Sequence, residues 1–205
     1  MFRAPCRFWV EPATWWHWQG CGKGQGVAEG RQGEQWRGIL PDNDLIQGFG
    51  PFVPADPQIL ILGSMPSVES LRQGFYYMHQ SNRFYKILES IAGFHTGADI
   101  KSRQRLLQYL HIALFDVIGR CSRRGSLDSN VRDITPNNIG ALLHSCPEIR
   151  VVITNGSLAK KIFLKYTTGC GLRVCHLPST SSANAGFSLE KLISLYAPVI
   201  KNALS

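Results

Sequence analysis

The 205-residue sequence has no apolar run long enough to span a bilayer, and no basic start followed by an apolar core that would mark a secretory signal. A soluble, cytoplasmic protein with no membrane partner is the expectation. None of its six cysteines forms a Cys-x-x-Cys pair, the spacing that structural zinc sites usually show. Cys170, Cys175 and His176 lie close in sequence, but small thiols in a reducing compartment explain them as well, and no metal or other cofactor is expected. The Gly-rich stretch GKGQG lacks the Gly-Lys-Ser/Thr ending of a phosphate-binding loop and follows no strand. That argues against a nucleotide-binding enzyme. Acidic residues are scarce, 14 against 22 Lys and Arg, for a net charge of +8.

That excess is unevenly placed. Residues 1–44 hold five basic and five acidic groups, whereas residues 45–205 hold 17 basic against nine acidic. A basic domain favours a polyanion such as nucleic acid. The first 44 residues also carry all five tryptophans and the run GCGKGQGVAEGRQG, with neither a helical nor a strand period. A Gly- and Gln-rich run loses much entropy on ordering, so a mobile leader is expected over 1–44 and a folded domain over 45–205.

From residue 57 the pattern becomes regular. QILILG, HIALFDVIG, RVVITNG and LRVCHLPS read as short buried strands. NRFYKILESIAG, RQRLLQYL, SLAKKIFLKY and SLEKLISLYAPVIKNAL read as helices, the last capped by Ser188. TPNNIGALLHSC is expected to be a helix with Thr135 as cap and Pro136 in its first turn. Alternating strands and helices predict an α/β fold: a three-layer α/β/α sandwich around a central four-stranded, mainly parallel sheet. Ligands of such sheets bind beyond the carboxyl ends of the strands. Four loops belong there: GSMPS, DVIGRCSRRGS, NGS and LPSTSSANA.

Residues 63–88, GSMPSVESLRQGFYYMHQSNRFYKIL, concentrate the chemistry. Gly63 permits close backbone approach and Pro66 fixes a turn. Phe75, Tyr76 and Tyr77 are consecutive aromatics that cannot all face one core; at least one should be exposed or line a pocket, where aromatics stack on nucleobases. Asn82 either caps the next helix or holds a water or base edge. His79 is open between a structural and a DNA-contacting role. Arg120, Arg123 and Arg124 form one loop set that suits phosphate contacts, while Lys160 and Lys161 suit an ordinary solvated face.

These residues resemble motif one of the uracil-DNA glycosylase superfamily, a Gly-x-x-Pro turn followed by an aromatic loop and a His-x-x-Asn-x-Phe-aromatic stretch. With the Ser-x-x-Ser-Leu spacing, Tyr76-Tyr77 and LPSTSSANA, the likeness narrows to the deoxyinosine (hypoxanthine) branch over residues 46–204. The resemblance implies a monofunctional hydrolase of N-glycosidic bonds acting on DNA containing deaminated bases, as a monomer. It implies a flipped-base pocket at Gly63, Ser64 and Met65, with Tyr76 or Tyr77 as stacking wall and Asn82 as the catalytic residue. Asp116 would accept the N1–H of hypoxanthine or, alternatively, cap a turn; Asn155 would touch the base or simply end its strand. Ser67, His79, the arginines, and Ser179, Thr180, Ser181, Ser182 and Asn184 of the motif-two loop would contact DNA. No lysine falls in the four loops, so no lyase step is expected. Uracil is the alternative substrate, and a non-catalytic DNA-binding relative the alternative class. The turn reads Ser64-Met65 where many superfamily members carry Asp or Asn, and Gln80 and Ser182 stand where branch relatives carry proline.

Overall fold

A computed structural model describes residues 45–167 and 171–205. The leader expected over 1–44 and Cys170 lie outside the described residues. The central sheet is built from four five-residue strands: β2 (Ile59–Gly63), β3 (Ile112–Asp116), β6 (Val151–Asn155) and β7 (Arg173–Leu177). Their order is β3-β2-β6-β7, and every neighbouring pair is parallel. β2, β3 and β6 are buried along their whole length, which is why they read as continuous apolar runs.

Side chains alternate between the two faces of the sheet and feed two separate cores. Ile59, Ile61, Ile112, Leu114, Val151 and Ile153 pack with α2 (Phe84–Ala92), α3 (Ile100–Tyr109) and α6 (Leu189–Leu204). Leu60, Leu62, Ala113, Phe115 and Val152 pack on the other face with α4 (Ile139–Ser145) and α5 (Ser157–Tyr166). This is the expected three-layer sandwich. Each core is made from bulky aliphatics that are fully or almost fully buried, each side chain worth about 1.5–3 kcal/mol on transfer from water.

Two expectations are corrected, and one further element appears. HIALFDVIG is two strands, not one: the chain leaves the central sheet at Asp116 and β4 (Ile118–Ser122) enters a second, antiparallel sheet of order β1-β4-β5. Its other members are β1 (Leu45–Gln47) and β5 (Arg132–Pro136). Thr135 and Pro136 therefore lie in a strand and do not open a helix; proline, lacking an N–H, is accommodated because β5 is an edge strand. The cap of α4 is Asn138, whose side chain accepts from the Ala141 amide at 2.9 Å. Finally, VESLRQ folds as a short helix, α1 (Val68–Gln73), capped by Ser67, which the apolar pattern gave no reason to expect.

The connection from β2 runs to β3 on one side of the sheet, and the later strands add on the other. The loops beyond β2 and β6 diverge at such a switch and leave a crevice at the carboxyl ends of the strands.

Candidate active site

A cleft of about 720 Å³ occupies that crevice. Its floor is the pair of residues that end β2 and β3 in register, Gly63 and Asp116. A side chain at position 63 would collide with Asp116 Oδ1 and stand 3.0 Å from the Tyr77 hydroxyl, so glycine is required there by packing. The turn that follows is pinned from below: the Val117 and Ile118 amides donate to the carbonyls of Gly63 (2.9 Å) and Ser64 (3.1 Å).

Asp116 is 3 % exposed, and its Oδ2 has no hydrogen-bond partner among the described residues. Burial pushes its carboxyl up to about 7, against the moderating charge of Arg123. An unpartnered polar atom this deep is expensive unless a ligand meets it. The Tyr77 hydroxyl is also buried and makes no hydrogen bond of good geometry among the described residues, and burial holds its phenol well above the usual value against the lowering effect of Asn155.

The aromatic loop is held by Ser70, whose Oγ accepts from the Met78 amide at 3.1 Å. Phe75 and Tyr76 are buried: Tyr76 donates to the Gly50 carbonyl at 2.9 Å and packs edge-on against Phe49. Tyr77 differs. Its ring is half-buried, lines the cleft, and stacks against Phe84 with centroids 3.9 Å apart. Its backbone has φ 56°, the left-handed region, which a bulky residue adopts only where the surroundings enforce it.

Asn82 precedes α2. Its Oδ1 accepts from the Phe84 amide (3.0 Å) in the first turn of α2 and from Thr180 Oγ1 (2.9 Å), and the residue lines the cleft. With the oxygen doubly engaged, the amide Nδ2 is the group left to meet a ligand. Thr180 is itself fixed by Asn155, which donates to Thr180 Oγ1 at 3.1 Å and accepts its amide at 2.9 Å. Asn155 also accepts from the buried Tyr196 hydroxyl at 3.0 Å. A chain of side chains from α6 through β6 and the motif-two loop thus ends at Asn82. Gly156, φ 103°, allows that loop to lie against β6; a Cβ there would stand 3.0 Å from the Ser179 Cβ.

The cleft brings together Gly63, Ser64, Met65, Ser67, Tyr76, Tyr77, Asn82, Asp116, Asn155, Ser179, Thr180, Ser181 and Asn184. It does not include His79 or Ser182. Those two sit beside it, joined through Ser81, whose Oγ lies 2.9 Å from His79 Nδ1 and 2.8 Å from Ser182 Oγ. The three arginines do not form one exposed set. Arg120 is exposed on β4, Arg124 is exposed in the loop, and Arg123 is 3 % exposed, turned inward to donate to the Pro66 carbonyl.

Three features were missed. Arg83 donates to the carbonyls of Thr180, Ser181, Asn184 and Phe187 and so ties down the motif-two loop. Residues 126–129, after β4, form a further wall of the cleft, with the Ser126 hydroxyl accepting from the Val68 amide at 3.0 Å. Lys160 of α5 also borders the cleft, which removes the ground on which a lyase step was set aside. Among the described residues no group of His, Cys, Asp and Glu could hold a metal ion.

Residues 50–198 match the model of the uracil DNA glycosylase superfamily. A hypoxanthine DNA glycosylase of Methanosarcina acetivorans is 34 % identical over 147 residues, covering 71 % of this chain and 92 % of that protein. A hypoxanthine DNA glycosylase of Methanosarcina barkeri is also 34 % identical, over 111 residues, 54 % of this chain and 70 % of that one. The solution NMR structure of an M. acetivorans protein provisionally assigned as a uracil DNA glycosylase superposes with a TM-score of 0.67 at 31 % identity, covering 78 % of this chain and 99 % of that one. The sheet that ends in Gly63 and Asp116 and the cleft above it therefore sit within the matched region, and the chain belongs to the uracil DNA glycosylase superfamily.

Proposed function

We propose that the chain is a DNA glycosylase that releases hypoxanthine from deoxyinosine by flipping the nucleotide into this cleft. A base in a duplex presents its glycosidic bond to no enzyme, so extrusion must precede cleavage. Family membership and the two hypoxanthine-releasing relatives support the reaction class. The observation that carries the base choice is the buried, unpartnered Oδ2 of Asp116 at the floor. An acceptor there pairs with the N1–H of hypoxanthine; adenine, whose N1 has only a lone pair, would leave an ionised carboxylate unsatisfied.

In this reading Tyr77 supplies the stacking face: both tyrosines border the cleft, but Tyr76 is buried with its hydroxyl tied to the Gly50 carbonyl, whereas Tyr77 is half-buried. Gly63, Ser64 and Met65 provide close backbone approach. Asn82, held by Thr180 and the Phe84 amide, presents its Nδ2 donor to the departing base or to the water. Glycosidic cleavage passes through an oxocarbenium-like state, so a donor aimed where negative charge develops on the leaving purine lowers the barrier. Arg120, Arg124, Ser67, His79 and the serines of the motif-two loop lie on exposed or rim positions that suit contacts to phosphates.

The test is release of free base from duplexes carrying deoxyinosine, deoxyuridine or deoxyxanthosine, read by alkaline cleavage of the product strand. Hypoxanthine is expected as the preferred product, with Asn82→Ala lowering the rate by about 100-fold or more. Release of uracil alone would move the chain to another branch of the superfamily. No release from any of the three would leave a DNA-binding relative.

A further inference from the structure

Hydrolysis needs a water and a group to take its proton. The turn over the floor of the cleft, Gly63-Ser64-Met65-Pro66, contains no such group. Of the side chains that line the cleft, two are carboxylates: Asp116 and Asp128. They differ in depth. Asp116 is at the floor and buried, whereas Asp128 is exposed, on the wall that follows β4. His176 also borders the cleft, its Nδ1 engaged with Thr154 Oγ1 at 2.8 Å and its Nε2 on the far side of the ring from that bond.

A flipped nucleotide enters base first, because its backbone remains part of the duplex. The base reaches the floor; the sugar and its C1′ stay nearer the mouth. The carboxylate at the floor is placed for the base, and the one at the mouth for the sugar and the water.

We propose that Asp128 is a catalytic residue, the proton acceptor for the water that attacks C1′. It is held for that purpose. Ser64, in the turn above the floor, donates its hydroxyl to Asp128 Oδ1 at 2.8 Å across 64 residues of sequence. A 3-10 turn, Asp128–Asn130, fixes the backbone at this point, with the Val131 amide closing onto the Asp128 carbonyl at 3.3 Å. Ser64 takes one carboxylate oxygen and the other is the acceptor. The water oxygen forms the bond to C1′, and the C1′–N9 pair departs with the purine. The water proton passes to the carboxylate, and the purine anion is reprotonated from solvent. The products are the free base and an abasic sugar. Two carboxylates in different environments then hold different roles, one reading the base and one serving the sugar.

This inference rests on the glycosylase reading, and the experiment separates the two. Single-turnover release is measured for wild type, Asp128→Asn and Ser64→Ala on duplexes bearing each deaminated base, alongside binding to a duplex with an abasic site. Asparagine keeps an oxygen for Ser64 but cannot accept the proton. The expected result is a fall of about 100-fold or more in the single-turnover rate of Asp128→Asn, by the same factor on every base the wild type releases, with abasic-site binding within about threefold of wild type. Ser64→Ala should fall by a smaller factor, about 10-fold, since the carboxylate remains but loses its tether. If wild type is active and Asp128→Asn releases base at the wild-type rate, Asp128 only ties the loop and the inference is overturned. A loss confined to one base would also overturn it, because a group acting on the sugar cannot distinguish bases. If wild type releases no base, the glycosylase reading itself fails, and this inference with it.

Discussion

Two walls of the cleft are built on opposite plans. The motif-two loop is laced to the body of the protein. Arg83 reaches four of its carbonyls, and Asn155, Tyr196 and Asn82 converge on Thr180 and the Pro178 carbonyl beside it. The facing segment after β4 is exposed from Arg124 to Asn130 and, among the described residues, meets the turn and α1 through Ser64 to Asp128, the Val68 amide to Ser126, and buried Arg123 to Pro66. The laced wall fixes the direction of the Asn82 amide to within the tolerance of several mutually dependent hydrogen bonds. The tethered wall carries the second carboxylate, Asp128, in an exposed position. One wall supplies preorganisation and the other access, which an enclosed site must combine if a bulky nucleotide is to enter and water is to follow.

The largest effect on this contrast should come from Arg83→Met, which keeps apolar volume but leaves four carbonyls without their donor. Hydrogen bonds from a charged donor are worth roughly 1.5–3 kcal/mol singly and less than their sum together, so a loss of about 3 kcal/mol is expected. That corresponds to a fall in melting temperature of about 6–12 °C for a chain of this size, read by thermal unfolding. The rate of base release should fall too, because Thr180 no longer holds Asn82. Unchanged stability would show that the loop is held by its own packing and not by Arg83.

Asp116→Asn tests the floor between the walls. The wild-type carboxyl is raised from 3.8 to about 7, so the folded state keeps its proton where the unfolded chain has lost it. The resulting contribution is fullest below pH 3.8, declines as pH rises through that window, and is gone above about pH 7. Asp116→Asn removes the titration. Its stability relative to wild type should therefore improve between pH 5 and pH 8, as read from denaturant midpoints at the two values. A relative stability that stays flat would mean that Asp116 titrates as an ordinary surface carboxylate. Activity sharpens the same point. If the ionised form accepts N1–H, wild-type release of hypoxanthine rises with pH through about 7, and the rise is absent in Asp116→Asn.

The smallest effect is expected from Ser126→Ala, which removes one neutral tether of the exposed wall. A loss of about 0.5–1 kcal/mol follows from a single hydrogen bond of this kind, with a modest rise in KM and little change in kcat. Amide hydrogen exchange over residues 124–130 is the direct measurement, and faster exchange there than over 178–187 in the wild type is the contrast to be checked.

Much of the frame was legible in the sequence because burial writes itself into composition. β2, β3 and β6 are buried at every position and apolar up to their carboxyl-terminal residues since both faces are covered, and α2 shows its buried face at helical spacing as Phe84, Ile87 and Leu88. Asn82, Asp116 and Tyr77 could be expected near the cleft they line because they lie at a helix start, at a strand end and in an aperiodic aromatic loop. The second sheet was not legible: β4 is buried at only two of its five positions and β5 at none, their pairing is interrupted by register shifts, and β5 contains a proline that reads equally well as a helix start. Arg123 looked like one more surface cation because sequence carries no sign that its guanidinium has a carbonyl to meet inside.

By itself, then, the sequence determined the layers, the basic balance of residues 45–205, and the loops in which chemistry had to lie, because these depend on local periodicity and charge. Only the tertiary structure decided which side chains share the cleft. Thr180 meets Asn82 across 98 residues, and Asp128 meets Ser64 across 64. Such contacts arise from crossover connections and loop closure, whose partners no local pattern specifies. The turn that lacks a carboxylate in its own sequence gains one from a distant loop through the fold.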